Sequence, residues 1–232
     1  MTWTGSMSSI LPALRSQIGL MIVTWTILAS ATTRANAADK EIREFAVTID
    51  GKAAGFNSMT ISTDNQGRQI MSGQAKISIS YLVASYKYSY FGTEVWKDGR
   101  LQGFSSTCDD DGKKFTVTIV PDKTGLRVTA NKKDRAVSPD IWLTTYWRLP
   151  DPKLVNKNGK VTLIDADTGK ELTAKLQAVG GGKVTVAGKA CTHYRLTGDV
   201  KADLWYDDQN KLARQEFDED GHHVTLMLKA TK

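Results

Sequence analysis

The sequence predicts an all-β, mainly antiparallel domain, built as a curved meander sheet or a half-open barrel. Three observations predict it. Apolar and polar residues alternate with a period of two from about residue 41 onward. Clusters of Gly, Asn and Asp interrupt that alternation at short intervals. One aromatic-rich segment, 138–150, breaks the rhythm. A period of two places alternate side chains on opposite faces of a strand. Short strands divided by turn residues indicate a meander, barrel or strongly curved sheet.

The amino-terminal 37 residues have a different character. Arg15 is the one charge in the first 16 residues, and an uncharged, mainly apolar run of 11 follows from Ile18 to Leu28. A stretch of small residues then ends in Ala35-Asn36-Ala37. Basic, apolar, then A-x-A is the layout of a cleavable secretory signal, with the cut expected between Ala37 and Ala38. The apolar run is shorter than the roughly 20 residues that a bilayer span needs. Arg34 lies close to the cut, and Met7 is a second candidate start. The expectation is a signal peptide over 1–37 and a single β domain over 38–232, periplasmic or secreted, with no integral membrane segment once the signal is removed.

The full chain carries 31 Lys and Arg against 25 Asp and Glu, a net charge of +6. Residues 38–232 lack Arg15 and Arg34 and so hold 29 against 25, a net +4. These charges are interspersed. Nucleic-acid binding usually shows a concentrated basic stripe, and none is present, so nucleic acid is not an expected partner. About 195 residues are enough for one domain with a real core.

The strands follow in order. Phe45, Val47 and Ile49 share one face, and Asp50-Gly51 turns the chain. Met59 and Ile61 mark a second strand that ends at Asn65-Gln66-Gly67. Ile77, Ile79, Tyr81 and Val83 share a face of the third. Tyr86, Tyr88 and Tyr90 share a face of the fourth, which runs to Val95-Trp96 and the turn at Asp98-Gly99. Asp110-Asp111-Gly112 turns into Phe115, Val117 and Ile119, and Pro121–Gly125 into Leu126, Val128 and Ala130. Beyond residue 155, strands are expected at 161–164, 172–178, 183–186, 191–196, 203–206, 212–217 and 223–228.

Segment 138–150 contains a helix-start signal, Ser138-Pro139, and stops at Pro150. It carries Ile141, Trp142, Leu143, Tyr146 and Trp147. A sheet with one apolar face must close on itself or be covered. A short helix or loop over 139–149 is the expected cover.

Each candidate site also has a plain structural role. Tyr86, Tyr88, Tyr90, Trp96, Trp142 and Trp147 suit an apolar pocket with polar edges, although tyrosines spaced by two are also ordinary strand residues. Cys108 and Cys191, in an oxidising compartment, are candidates for a disulfide; two separate buried thiols are the alternative. His222 and His223 lie near Asp218, Glu219 and Asp220, but neighbours on a strand face opposite ways and do not readily share an ion. Asp165–Glu171 resembles the start of a calcium loop but lacks its later ligands, so a hairpin turn is expected. Cys191 and His193 share a strand face without an evident oxyanion site. There is no G-x-S-x-G elbow, and all three His lie beyond residue 190. Gly180-Gly181-Gly182-Lys183 lacks phosphate-loop spacing. No metal or cofactor is expected.

The carboxyl-terminal half carries a resemblance. Ala190–Leu196 (ACTHYRL), Thr197-Gly198-Asp199, Asp203–Asp208 (DLWYDD), Lys211–Arg214 (KLAR) and Asp220-Gly221 before a final apolar strand resemble a family of exported bacterial domains of unknown function. Gly51–Gly55, Glu94–Leu101 and Tyr146-Trp147 fit the same pattern, so the resemblance spans most of 41–229. The two cysteines are not part of it. The family is similar in layout to periplasmic lipoprotein-carrier proteins. That resemblance implies a half-open antiparallel barrel closed by short helices over an apolar cavity, and it brings no catalytic residues.

The expectation is therefore a non-enzymatic, exported binding module for a hydrophobic or amphiphilic ligand or an acylated protein. An envelope structural or protein-interaction domain is the alternative, and a hydrolase using scattered carboxylates the third.

Overall fold

The computed structural model describes residues 40–80 and 85–231. The expected signal peptide, its cleavage site at Ala37 and Ala38, and Tyr81 and Val83 lie outside the described residues. Strands β1 (Lys40–Ile49), β2 (Lys52–Thr63), β3 (Gln69–Ser80) and β4 (Ser85–Lys97) begin the chain. They continue as β5 (Arg100–Asp110), β6 (Lys113–Asp122), β7 (Gly125–Ala130) and β8 (Lys133–Val137). The second half contains β9 (Trp142–Leu143), β10 (Lys160–Ile164), β11 (Glu171–Ala178), β12 (Val184–Val186), β13 (Lys189–Gly198), β14 (Ala202–Asp207), β15 (Leu212–Glu219) and β16 (His222–Thr231).

Turn chemistry explains four of the hairpins. Asp50-Gly51, Asp98-Gly99, Asp111-Gly112 and Asp220-Gly221 all take positive φ at both residues. That is the two-residue hairpin turn whose twist matches its flanking strands. Sequential strands therefore pair as antiparallel neighbours. The order is β8-β7-β6-β5-β4-β3-β2-β1-β16-β15-β14-β13-β11-β10-β9, with β12 paired to β13. The first and last strands join the two halves, from Ile49 opposite Val224 to Arg43 opposite Thr231. Among the described residues, the one parallel pair sets Trp142 and Leu143 beside Leu163 and Ile164. Edge strands β8 and β9 do not pair, so backbone hydrogen bonds do not close the sheet into a barrel.

Side chains close it instead. The turn between β10 and β11 packs onto β5–β8. Ser106 donates through Oγ to the Ala166 carbonyl at 2.6 Å, and Arg135 donates to the Gly169 carbonyl. Gly169 sits at φ +74°, and a Cβ there would stand 2.9 Å from Ala130 Cβ and 3.2 Å from the Val117 methyls. Only glycine fits that approach.

The cover is a loop, crossing the concave face with β9 inside it. The helix-start signal at Ser138-Pro139 forms a local turn, in which the Asp140 amide donates to Ser138 Oγ at 3.1 Å. Trp142 and Leu143 then spend their backbone on β10, which a helix would forbid. Past β9, the buried carboxylate of Glu94 holds the loop. Glu94 Oε2 accepts from the indole N–H of Trp96 at 2.6 Å and of Trp147 at 2.8 Å, and Oε1 accepts from Thr145 Oγ1. Arg43 donates to the Trp147 carbonyl. Tyr206 donates through its hydroxyl to the Tyr146 carbonyl at 2.9 Å. Arg148 lies over the rings of Trp96 and Trp147, 4.6 and 5.0 Å from their centroids, and donates to Gln69 Oε1 at 2.7 Å. Burial pushes the Glu94 carboxyl above its ordinary range, opposed by the bonds from Thr145, Trp96 and Trp147 and by the Arg148 charge. No helix among the described residues is long and apolar enough to cross a membrane.

Removing the Glu94 acceptor strands two buried indole donors and leaves a void. Glu94→Ala is expected to lower unfolding stability by about 3–5 kcal/mol. Glu94→Gln, which keeps an acceptor for the indoles, should cost less than half as much. Urea unfolding of the three proteins checks this ordering.

Candidate functional site

A cavity of about 500 Å³ lies between the concave face of the sheet and the loop 165–167. This is within the usual size range of small-molecule pockets. Its apolar walls come from Val47 and Ile49 on β1, Met59 on β2, Met71, Ala75 and Ile79 on β3, and Val224 and Leu226 on β16. Thr144 and Thr145 of the covering loop bound it as well.

One end of the cavity is polar. The hairpin tips β5–β6 and β15–β16 and the turn at 165–168 contribute Asp110, Asp167, Glu219 and Asp220 there. Tyr86 donates to Asp110 Oδ1 at 2.9 Å, and Tyr88 donates to the Asp167 carboxylate at 3.0 Å. Burial pushes Asp167 up to about 7, with Asp165, Asp110 and Glu219 adding to the rise and the Tyr88 bond opposing it. Burial also raises Glu219, again helped by the acids around it, Asp220, Asp165 and Asp110. Burial and the Asp167 charge hold the Tyr88 hydroxyl far above its ordinary value, so it remains a donor.

The tyrosine triplet behaves as its spacing implies: Tyr86, Tyr88 and Tyr90 all line the cavity. The three tryptophans do not. Trp96 and Trp147 turn their N–H groups to Glu94, and Trp142 packs edge-on against Tyr146 with centroids 5.0 Å apart. Indoles committed to a buried acceptor form the base on which the cavity rests, outside its lining. The residues missed were the acids at the mouth, each of which reads as hairpin-tip chemistry, and Asn57, Met71, Gly73 and Gln215, whose strands point inward only once the sheet has curved.

The disulfide expectation is corrected. Cys108 and Cys191 are both buried free thiols. Seven strands separate β5 from β13 in the sheet, and a disulfide needs Cα atoms within about 7 Å. Their surroundings also differ: Asp167, Asp110 and Tyr88 for Cys108; Asp207, Lys189 and Val186 for Cys191. Burial pushes the Cys108 thiol up to about 12, so it is no nucleophile near neutrality.

The remaining candidates have structural partners. His222 Nδ1 lies 2.7 Å from Asp50 Oδ2, and His223 Nδ1 lies 2.8 Å from Asp218 Oδ1. His193 Nε2 is 2.5 Å from Asp203 and stacks on Trp205. Asp165 caps its own turn, accepting from the Asp167 amide at 2.9 Å and from Thr168 Oγ1 at 3.0 Å.

Comparison with known families identifies the chain. The family described as Domain of unknown function (DUF6134) matches residues 45–229. The chain belongs to this family. No curated protein matches it. Among solved structures, DUF6134 as seen here is similar to a beta-barrel-like protein of domain of unknown function DUF1849 from Brucella abortus, at 11% identity and a TM-score of 0.56. That match covers 83% of this chain and 97% of the other. A DUF1329 family protein from Desulfovibrio piger is matched at 10% identity over 85% of this chain and 86% of its own, with a TM-score of 0.17. The first likeness shows the fold: an all-β, barrel-like architecture.

The Asp167 carboxyl gives a pH prediction. Its value in the folded protein, about 7, lies above the ordinary 3.8. Its contribution to stability is therefore complete below about pH 4 and is lost as pH rises through 7. Asp167→Asn should melt with the native protein near pH 4 and several degrees above it near pH 8, at about 2–4 °C per kcal/mol for a chain this size. Thermal melts followed by circular dichroism at the two pH values check the sign.

Proposed function

We propose that this protein is an exported, non-enzymatic binding module. Its curved sheet would hold a hydrophobic or amphiphilic ligand, or the acyl chain of a modified protein partner, in the cavity between β1–β4, β15–β16 and the 165–167 turn. The observation that carries the reading is the cavity itself, with apolar walls and tyrosine hydroxyls at one end. Burying an apolar chain there supplies about 25 cal/mol per Å², and the hydroxyls and carboxylates at the mouth orient the polar end. Export is supported by the signal-like layout of residues 1–37.

A protein-interaction reading has one observation of its own. Phe56 on β2 and Phe91 on β4 are 41% and 56% exposed on the outer face. Large exposed aromatics of this kind suit a partner surface.

Gly73 offers a clean separation of the two. A Cβ at Gly73 would meet Met71 Sδ at 3.4 Å and Tyr90 Cε1 at 3.9 Å, ordinary contact distances. Gly73→Val should fold normally while its methyls fill the cavity. The expected result is a ligand affinity lowered about tenfold or more with an undiminished melting temperature. Native mass spectrometry of the purified native protein should show an apolar or amphiphilic adduct released by solvent. A bare mass, with no thermal shift from long-chain alcohols, amines or acids, would shift the reading to the Phe56–Phe91 face.

A further inference from the structure

Gln215 stands apart from the other neutral polar groups of the cavity wall. It lies on β15, is 9% exposed, and lines the space with its side chain. Alternation along the strand sets it on the inner face with Ala213 and Phe217, while Arg214 on the outer face lies over the Trp205 ring. Leu204 stands opposite it on β14 and Leu226 on β16. Both are buried, as is Val47 beyond Leu226. In this apolar wall no hydrogen bond engages the Gln215 carboxamide among the described residues.

The neutral polar groups around the same space are either occupied or out of reach. The hydroxyls of Tyr86 and Tyr88 go to Asp110 and Asp167, Thr145 donates to Glu94, and Thr144 accepts from the Ala166 amide. The Tyr90 hydroxyl and Asn57 Oδ1 have no partner, but both are sealed from open space. The Gln215 carboxamide is neither bonded nor sealed. It also stands well inside the cavity. From Glu219 at the rim to Gln215 the strand runs inward for about 13 Å, at roughly 3.3 Å per residue.

We propose that the cavity takes an uncharged acyl compound, an ester or an amide, whose carbonyl oxygen accepts a hydrogen bond from the Gln215 carboxamide. This rests on the reading of the cavity as a site for hydrophobic or amphiphilic ligands, and it names their class. A glutamine side chain carries two N–H donors and one carbonyl. In folded proteins a buried N–H without an acceptor is rarer than an under-bonded carbonyl. A ligand carbonyl supplies that acceptor and brings no charge. A carboxylate or ammonium at this depth would leave water with no counter-charge in the wall around it. A plain hydrocarbon would cover the carboxamide and leave it unpaired. Water in the cavity can serve the same group, and a carbonyl that displaces it keeps the bond while the acyl chain covers the apolar wall.

The test is isothermal titration calorimetry with methyl octanoate, octanamide and butylbenzene, on the native protein and on Gln215→Met. Methionine is unbranched and fills the same space without the polar end. By circular dichroism the variant is expected to melt no lower than the native protein, because it removes an unpaired buried amide. The two carbonyl probes should bind the native protein as one molecule per chain and lose about tenfold or more in the variant. Butylbenzene has no hydrogen-bonding group and should change by no more than about twofold. A larger loss for octanamide than for methyl octanoate assigns an amide linkage, and equal losses show that the carbonyl alone is read; either supports the contact. A variant that melts lower shows that the carboxamide supports the fold and overturns the proposal. Equal loss of all three probes overturns it as well. Binding of all three that is undiminished in the variant overturns the carbonyl assignment alone and leaves the hydrophobic-ligand reading standing. Failure of all three to bind the native protein overturns both.

Discussion

The architecture depends on one buried carboxylate. Glu94 lies on a central strand, fully out of water, and accepts hydrogen bonds from two indoles and a threonine. Two of those donors, Thr145 and Trp147, belong to the covering loop. A charge-capable group is costly to bury, and here the cost is offset by three donors and by a guanidinium held between two tryptophan rings. The loop has no helix of its own to satisfy its backbone, so it borrows partners from the sheet. Arg43 on β1, Gln69 on β3, Tyr206 on β14 and the amide of Leu212 on β15 all bond to it. Strands from both halves of the chain are thus tied to one segment, and the curvature of the sheet is held.

That curvature creates the cavity. A flat sheet of this width would leave its apolar face in water. Pairing β1 with β16 makes the two halves continuous, and the docking of the 165–169 turn on β5–β8 brings the far ends together by side-chain contact. The filled base around Glu94 and the open space above it occupy the same concave face. Tyrosines on β4 mark the transition: Trp96 and Glu94 lie in the packed base, Tyr90 lies above them over Gly92, and Tyr88 and Tyr86 reach the acids at the rim.

This division explains which site residues could be read from the sequence. Tyr86, Tyr88 and Tyr90 were legible because a period of two on one strand sets their common face without reference to anything else. Trp96 lies on that same face and still falls outside the cavity, because its N–H is drawn to Glu94, two residues away. Trp142 and Trp147 were legible as a cover and not as a base, since the direction of an indole in a loop is set by the acceptor it finds. Asp110, Asp167 and Glu219 were hidden by their turns: an acid at a hairpin tip has a sufficient local reason to be there. The cysteines show the same limit. Their number suggested a bond, while the strand order placed them in separate neighbourhoods.

By itself the sequence determined most of the strands, although not β5, β8 or β9, together with the two-residue Asp-Gly hairpins, the antiparallel neighbours they create and the presence of a cover over residues 139–149. All of these follow from local rules: side-chain alternation, the φ angles that Asp-Gly accepts, and the need to shield an apolar face. The tertiary structure alone decided that the first strand pairs with the last, that the sheet curls without closing its hydrogen bonds, and that four distant acids share one opening. Those outcomes depend on contacts between residues up to 188 positions apart, such as Arg43 opposite Thr231, and no local pattern encodes which distant partner a strand edge or a hairpin tip will meet.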